Sequence, residues 1–282
     1  MNIKYILAGL LIILISLSAC NLEKQIEIVL PEYESQPVLE CYLEPGKAFR
    51  LLLSKSNSYF DPIPSDDLLP YLESLLISNA DVRIRFGDEE VVLNNQVLVD
   101  FETGKFYNYS SAEIVPENFS DNFELEIILP DGKLITAITR ILPIVPIDSI
   151  SIEKNAENKA RCLVYIKDNP NEVNYYRRML HNGSIVDSFP EQDFVTDDKL
   201  IENNIFVFGT GYNYEPGDTI FNTIFHIDAS YSRFLTSIQN SISSNGNPFA
   251  QPGVILTNLS GNANAIGIFT GLSYDRVMSV IP

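Results

Sequence analysis

Residues 123–140 read Phe-Glu-Leu-Glu-Ile-Ile-Leu-Pro-Asp-Gly-Lys-Leu-Ile-Thr-Ala-Ile-Thr-Arg. Phe123, Leu125, Ile127 and Leu129 alternate with Glu124, Glu126 and Ile128. This period of two turns one side of a strand to a core and the other to solvent. Pro130-Asp131-Gly132-Lys133 supplies turn residues, and the apolar run resumes at Leu134. The stretch predicts a hairpin with strands over 123–129 and 134–140, in an antiparallel sheet with one buried face.

The same grammar extends in both directions. Upstream, strands are expected over 38–43 and 48–54 around Glu44-Pro45-Gly46-Lys47, and over 82–86 and 89–93 around the tight turn Gly87-Asp88. Between them Leu68, Leu69, Leu72, Leu75 and Leu76 recur at helical spacing with Pro70 in the first turn, so a short helix with its leucines in the core is expected. Downstream, Pro143 and Pro146 stiffen a connector. Strands follow over 150–154, 160–167, 175–180, 185–189, 205–208 and 220–227, with His181-Asn182-Gly183-Ser184 as a turn. Tyr231, Phe234, Leu235, Ile238 and Ile242 then mark one face of a helix, with Asp228 or Ser230 as its N-cap. The expectation is a mainly β chain of two β-sandwich-like (Ig-like) domains, 37–143 and 146–282. The first holds a short helix and the second an amphipathic one.

The N-terminus reads differently. Lys4 precedes an apolar run over 6–17, shorter than the roughly 20 residues that span a bilayer. The length suits the core of a signal peptide. Leu17-Ser18-Ala19-Cys20 resembles the bacterial lipobox, so residues 1–19 are expected to be cleaved and Cys20 to carry diacylglycerol. Residues 20–36, with Glu23, Glu27, Glu32 and Glu34, read as an acidic tether. A lipid on Cys20 anchors the chain to a membrane without spanning it.

Composition narrows the functional classes. The chain has 282 residues, with 37 Asp and Glu against 19 Lys and Arg and a net charge of −18, which disfavours nucleic acid as a partner. Trp is absent and His occurs twice, at His181 and His226, neither at metal-ligand spacing. No Gly-x-Ser-x-Gly elbow occurs, and Gly209-Thr210-Gly211 lacks the Lys-Ser/Thr of a phosphate loop. Asp66-Asp67, Asp187, Asp193 and Asp197-Asp198 invite a calcium reading, but none forms an Asp-x-Asp-x-Asp-Gly loop, so solvated loop charge is the better reading and ion binding the lesser one. Cys41 and Cys162 fall on apolar strand faces and read as small buried hydrophobes, with a disulfide the lesser reading. No catalytic residue, metal or cofactor is expected.

An ordered set of short motifs runs through the chain. Cys20 is followed by Leu30-Pro31-Glu32-Tyr33, Pro37-Val38-Leu39-Glu40, Leu53-Ser54-Lys55-Ser56, Asn79-Ala80-Asp81-Val82 and Pro130-Asp131-Gly132. Then come Pro146-Ile147-Asp148-Ser149-Ile150, Asp168-Asn169-Pro170, Asn174-Tyr175-Tyr176-Arg177, Gly217-Asp218, Asn247-Pro248-Phe249 and Gly267-Ile268-Phe269. The order resembles the Bacteroidota outer-membrane lipoprotein family called domain of unknown function 4249. That resemblance implies an outer-membrane lipoprotein, often encoded beside a TonB-dependent receptor, and supplies no catalytic residues. Asp148-Ser149-Ile150 and Asp218-Thr219-Ile220 resemble the Bacteroidota O-glycosylation motif, which marks Ser149 and Thr219 as candidate acceptors.

The functional expectation is a non-catalytic accessory or binding partner of a TonB-dependent receptor in ligand capture or uptake. The alternatives are a structural or assembly factor of the cell envelope and, less favoured, a hydrolase. The face of the membrane, periplasmic or cell-surface, stays open. The weakly charged Gly/Asn/Pro-rich stretch 245–271 carries Phe249, Val254 and Ile255, which are candidate docking residues, with a cap on the second sandwich the slightly favoured alternative.

Overall fold

The computed structural model describes residues 33–58, 64, 66–101, 103–199, 204–244 and 253–282. Contacts divide the chain into two units, Met1–Glu34 and Ser35–Pro282, and every element described belongs to the second. The fold is mainly β, with a large curled sheet and a sandwich-like arrangement. Among the described residues, no helix is long and apolar enough to cross a membrane.

The hairpin expected over 123–140 is present as β6 (Phe123–Ile128) and β7 (Leu134–Thr139), paired antiparallel with Phe123 opposite Thr139. It joins β1 (Pro37–Leu43), β2 (Ala48–Lys55), β3 (Asp81–Phe86), β4 (Glu89–Asp100) and β5 (Lys105–Ile114) in one sheet. Two late strands, β14 (Ser260–Gly261) and β15 (Ile266–Gly271), complete it in the order β14-β7-β6-β3-β4-β5-β2-β1-β15. The sheet curls until β15 meets β7. Its inner face holds alternate residues of most of its strands, including Leu39, Leu51, Ile84, Leu125, Ile135 and Phe269, in one core. Its outer face carries cross-strand ion pairs, among them Arg85 with Glu90 and Glu126.

The second half forms two smaller sheets. One runs β11 (Gln192–Asp197), β10 (Tyr175–Asn182), β13 (Thr219–Ile227), β16 (Ser273–Val280). The other runs β12 (Ile205–Gly209), β9 (Ala160–Lys167), β8 (Ile147–Lys154). Tyr176, Leu180, Ile220 and Ile224 from the first share a core with Cys162, Val164, Ile166 and Phe206 from the second.

The partition at residue 146 does not extend to the C-terminus. β15 pairs parallel with β1, Leu39 opposite Gly267, so a strand assigned by sequence to the second domain closes the sheet of the first. Every residue from Gly267 to Gly271 is buried, as suits a strand covered on both faces. Phe269 enters the first core, while Ile268 joins Phe225, Tyr231 and Phe234 in a third cluster. Gly267 is obligatory: it has φ +129°, and a Cβ there would lie 1.9 Å from the Leu39 carbonyl oxygen.

Three local expectations change. The strand expected over 185–189 is absent. Ser184 accepts backbone hydrogen bonds from Val186 and Asp187 at 3.2 and 3.0 Å, and this turn diverts the chain before β11. Helix α1 (Leu68–Leu75) forms, but Leu68 and Leu72 are exposed rather than core. The helix is tied beside β2 by the bridge of Leu76 to Ser54 and by the bond from Asn57 to the Tyr71 hydroxyl, so its leucine stripe is not what holds it. Ile242 is also exposed, at the far end of α2 (Ala229–Ser244), past the turns that pack on the third cluster.

Candidate functional site

Helix α2 begins at Asp228, whose Oδ1 accepts from the Tyr231 amide at 2.7 Å, the N-cap bond. Its Oδ2 accepts from the Thr139 hydroxyl at 3.2 Å, which ties the helix start to the end of β7. Tyr231 and Phe234 are buried beneath it. On the flank of the helix the residues are small. Ser237 Oγ donates to the Phe234 carbonyl at 2.7 Å and accepts from the Leu256 amide at 2.9 Å. Gly253 lies so close to Ser241 that a Cβ would meet its Cα at 2.6 Å.

Residues 253–256 are therefore laid against α2 by their backbone, and their side chains project outward. Val254 is 76% exposed, Ile255 36% and Leu256 47%. Downstream, Asn258 substitutes for a strand neighbour: its Nδ2 donates to the Phe269 carbonyl at 2.7 Å and its Oδ1 accepts from the Phe269 amide at 3.1 Å. Three consecutive apolar side chains are thus exposed on a segment fixed at both ends. Such a surface loses little conformational freedom when covered.

Of the residues singled out in the sequence, Val254 and Ile255 lie together on this segment, and Leu256 was missed although it continues the same run. Phe249 and Cys20 lie outside the described residues. Ser149 is exposed on β8 beside a register shift, and Thr219 is half-buried opposite Val280. The two lie in different sheets, and Val254 lies in neither. Cys41 and Cys162 are free and buried, and burial pushes both thiols up, away from the reactive thiolate. The acidic residues disperse: Asp193 pairs with Arg177, Asp197 with Lys199, and Asp187 accepts from Ser184.

A second constellation escaped the sequence reading as a site. Asp168, Asn174, Tyr176, Asp198 and His226 meet where the connector, β9, β10 and β13 converge. Tyr176 donates to Asp168 at 2.6 Å. The Asn174 backbone amide donates to Asp198 at 2.8 Å, and its Nδ2 faces Asp168 and Asp198, each at 3.1 Å. Asp168 and Asn174 were visible only as members of the ordered motif set. Nothing local announced that Asn174 meets a histidine 52 positions on.

The match along the sequence now bears on the fold. The family model of a domain of unknown function, DUF4249, matches residues 23–277. This chain belongs to the DUF4249 family. The match runs through both halves of this DUF4249 chain and takes in the late strand β15 that joins them. No curated protein sequence matches it. The chain is similar to a solved structure titled "Cytokine receptor complex - Crystal form 1A", at 8% identity over 69% of this chain and 86% of that one. The TM-score is 0.26, a likeness that carries no argument.

Proposed function

We propose that this DUF4249 protein is an outer-membrane lipoprotein, anchored through Cys20, that serves as a non-catalytic accessory partner of a TonB-dependent receptor in ligand capture or uptake. The observation that supports the reading is the exposed triplet Val254, Ile255 and Leu256, held on α2 by Ser237 and Gly253. An apolar patch fixed by its own backbone favours a protein surface as occupant. Anchoring in the membrane plane would raise the effective concentration of such a patch near membrane partners. The net charge of −18 favours a partner with a basic rim.

The test is affinity capture from detergent-solubilised outer membranes, wild type beside I255D. Retrieval of a TonB-dependent receptor by wild type, with a fall of about tenfold or more for the variant, is expected from the loss of one buried apolar contact and the burial of an unpaired charge. Wild type that retrieves no receptor would sink the proposal. Equal retrieval by both would move the docking surface elsewhere. Mass spectrometry of the N-terminal peptide should show acyl chains on Cys20, and an unmodified N-terminus elsewhere would remove the anchor.

A further inference from the structure

His226, half-buried in β13, has oxygen on both sides. Nδ1 lies 2.8 Å from the carbonyl oxygen of Pro143 in the connector, and Nε2 lies 3.2 Å from Asn174 Oδ1. The orientation of the Asn174 amide is fixed by its other end. Nδ2 is surrounded by four acceptors: Asp168 Oδ1, Asp198 Oδ2 and the carbonyls of Asn169 and Glu172, at 3.1 to 3.4 Å. Only an NH₂ group suits that position, so Oδ1 must face the histidine. The Pro143 carbonyl likewise only accepts. A neutral imidazole has one N–H and can satisfy one of these oxygens. An imidazolium has two and satisfies both.

We propose that His226 is a proton-operated latch between the connector and the Asn174 loop, closed when the ring carries two protons and released at Asn174 when it carries one. The shorter contact keeps the remaining proton, on Nδ1 towards Pro143. The Nε2 lone pair is then left against Asn174 Oδ1.

The surroundings set where this exchange happens. Burial is the largest influence on the ring and lowers its pKa below the ordinary 6.5. The Pro143 carbonyl, Asp168 and Glu172 pull upward, and Arg140 adds to the lowering. Tyr176 stacks on the ring with centroids 5.6 Å apart and holds Asp168 through its hydroxyl. Asp198 is engaged by Asn174, and Asp228 by Thr139 and the Tyr231 amide. Ser273 of β16 lies opposite His226 in the ladder and brings no charge. The latch therefore closes on the acid side.

The full chain, ¹⁵N-labelled at histidine, provides the test, with H181Q identifying the two ring signals. Two N–H nitrogens are expected on His226 on the acid side of its titration, and Nδ1–H alone as the pH rises through it. Exchange protection of the Asn174 and Asp198 amides, relative to amides of β6, should fall about fivefold over that rise, the equivalent of one net hydrogen bond. H226F should remove that dependence. A neutral ring protonated on Nε2, an unchanged protection ratio, or a dependence that survives in H226F would each overturn the latch. Should H226F fail to fold, the wild-type ring spectrum and protection ratio decide alone.

Discussion

Single residues hold the places where the backbone ladder fails or two backbones touch. Asn108 is buried between β2 and the chain after α1. Its Oδ1 accepts from the Leu53 amide at 2.8 Å, and its Nδ2 donates to the carbonyls of Leu53 and Ile77 at 2.9 and 3.0 Å. N108A should lower unfolding stability by about 1–3 kcal/mol in urea titration, because it leaves the buried Leu53 amide unpaired, while the two carbonyls keep the Ile77 amide and the Tyr109 hydroxyl as donors. Gly267 is stricter, since any side chain there displaces the Leu39 carbonyl. G267A should cost about 3 kcal/mol or more, and a neutral result would mean that β15 does not lie against β1. His181 shows how pH enters. It is buried at the end of β10, its Nδ1 has no hydrogen-bond partner among the described residues, and burial, then Arg276, lowers its pKa from 6.5 while Asp193 opposes. A histidine with a lowered folded pKa binds its proton more weakly than in the unfolded chain. Its contribution is present above 6.5 and lost as the pH falls through the lowered value. The urea midpoint should therefore drop on acidification below neutrality, and H181Q should flatten that drop.

At the level of elements, ends matter more than middles. Helix α2 has many serines whose hydroxyls bond back to its own carbonyls, as Ser241 does to Ser237 and Ser243 to Gln239. Such residues do little for a helix on their own. What holds α2 is the apolar face of Tyr231 and Phe234 and the cap at Asp228. D228A removes both the cap and the tie to Thr139 and should destabilise the protein by about 1–2 kcal/mol, read from thermal unfolding. The serines have another consequence. Small side chains at Ser237 and Ser241 let residues 253–256 approach the helix, and that approach turns three apolar residues outward. The reverse case is α1, where Leu68 and Leu72 follow helical spacing and yet stand exposed.

For the whole molecule, the late return of the chain is the organising event. β15 contributes Phe269 to one core and Ile268 to another cluster, and β16 follows directly into the sheet of the second half. Ser35–Pro282 is accordingly one compact unit. Calorimetry should record a single cooperative transition for it, with equal calorimetric and van't Hoff enthalpies. Two resolved transitions would mean that the halves fold independently of β15.

Much of this was legible in the chain. The alternation through Phe123–Ile128 and the turn at Pro130 to Lys133 fixed a hairpin that the structure reproduces within a residue, because period and turn chemistry are local. The same holds for β9, for the α2 face from Tyr231 to Ile238, and for the burial of Cys41 and Cys162. The membership of both halves in one family was legible as an order of motifs. What needed tertiary structure were the non-local partnerships. No local signal shows that Gly267 must lie on Leu39, that Asn174 turns its amide to His226, or that Leu68 and Leu72 of α1 stand exposed. A glycine, an asparagine and a leucine have the same local propensities wherever their partners lie. Only the meeting of segments far apart in sequence decides whether such a residue is a contact, a latch or an exposed surface.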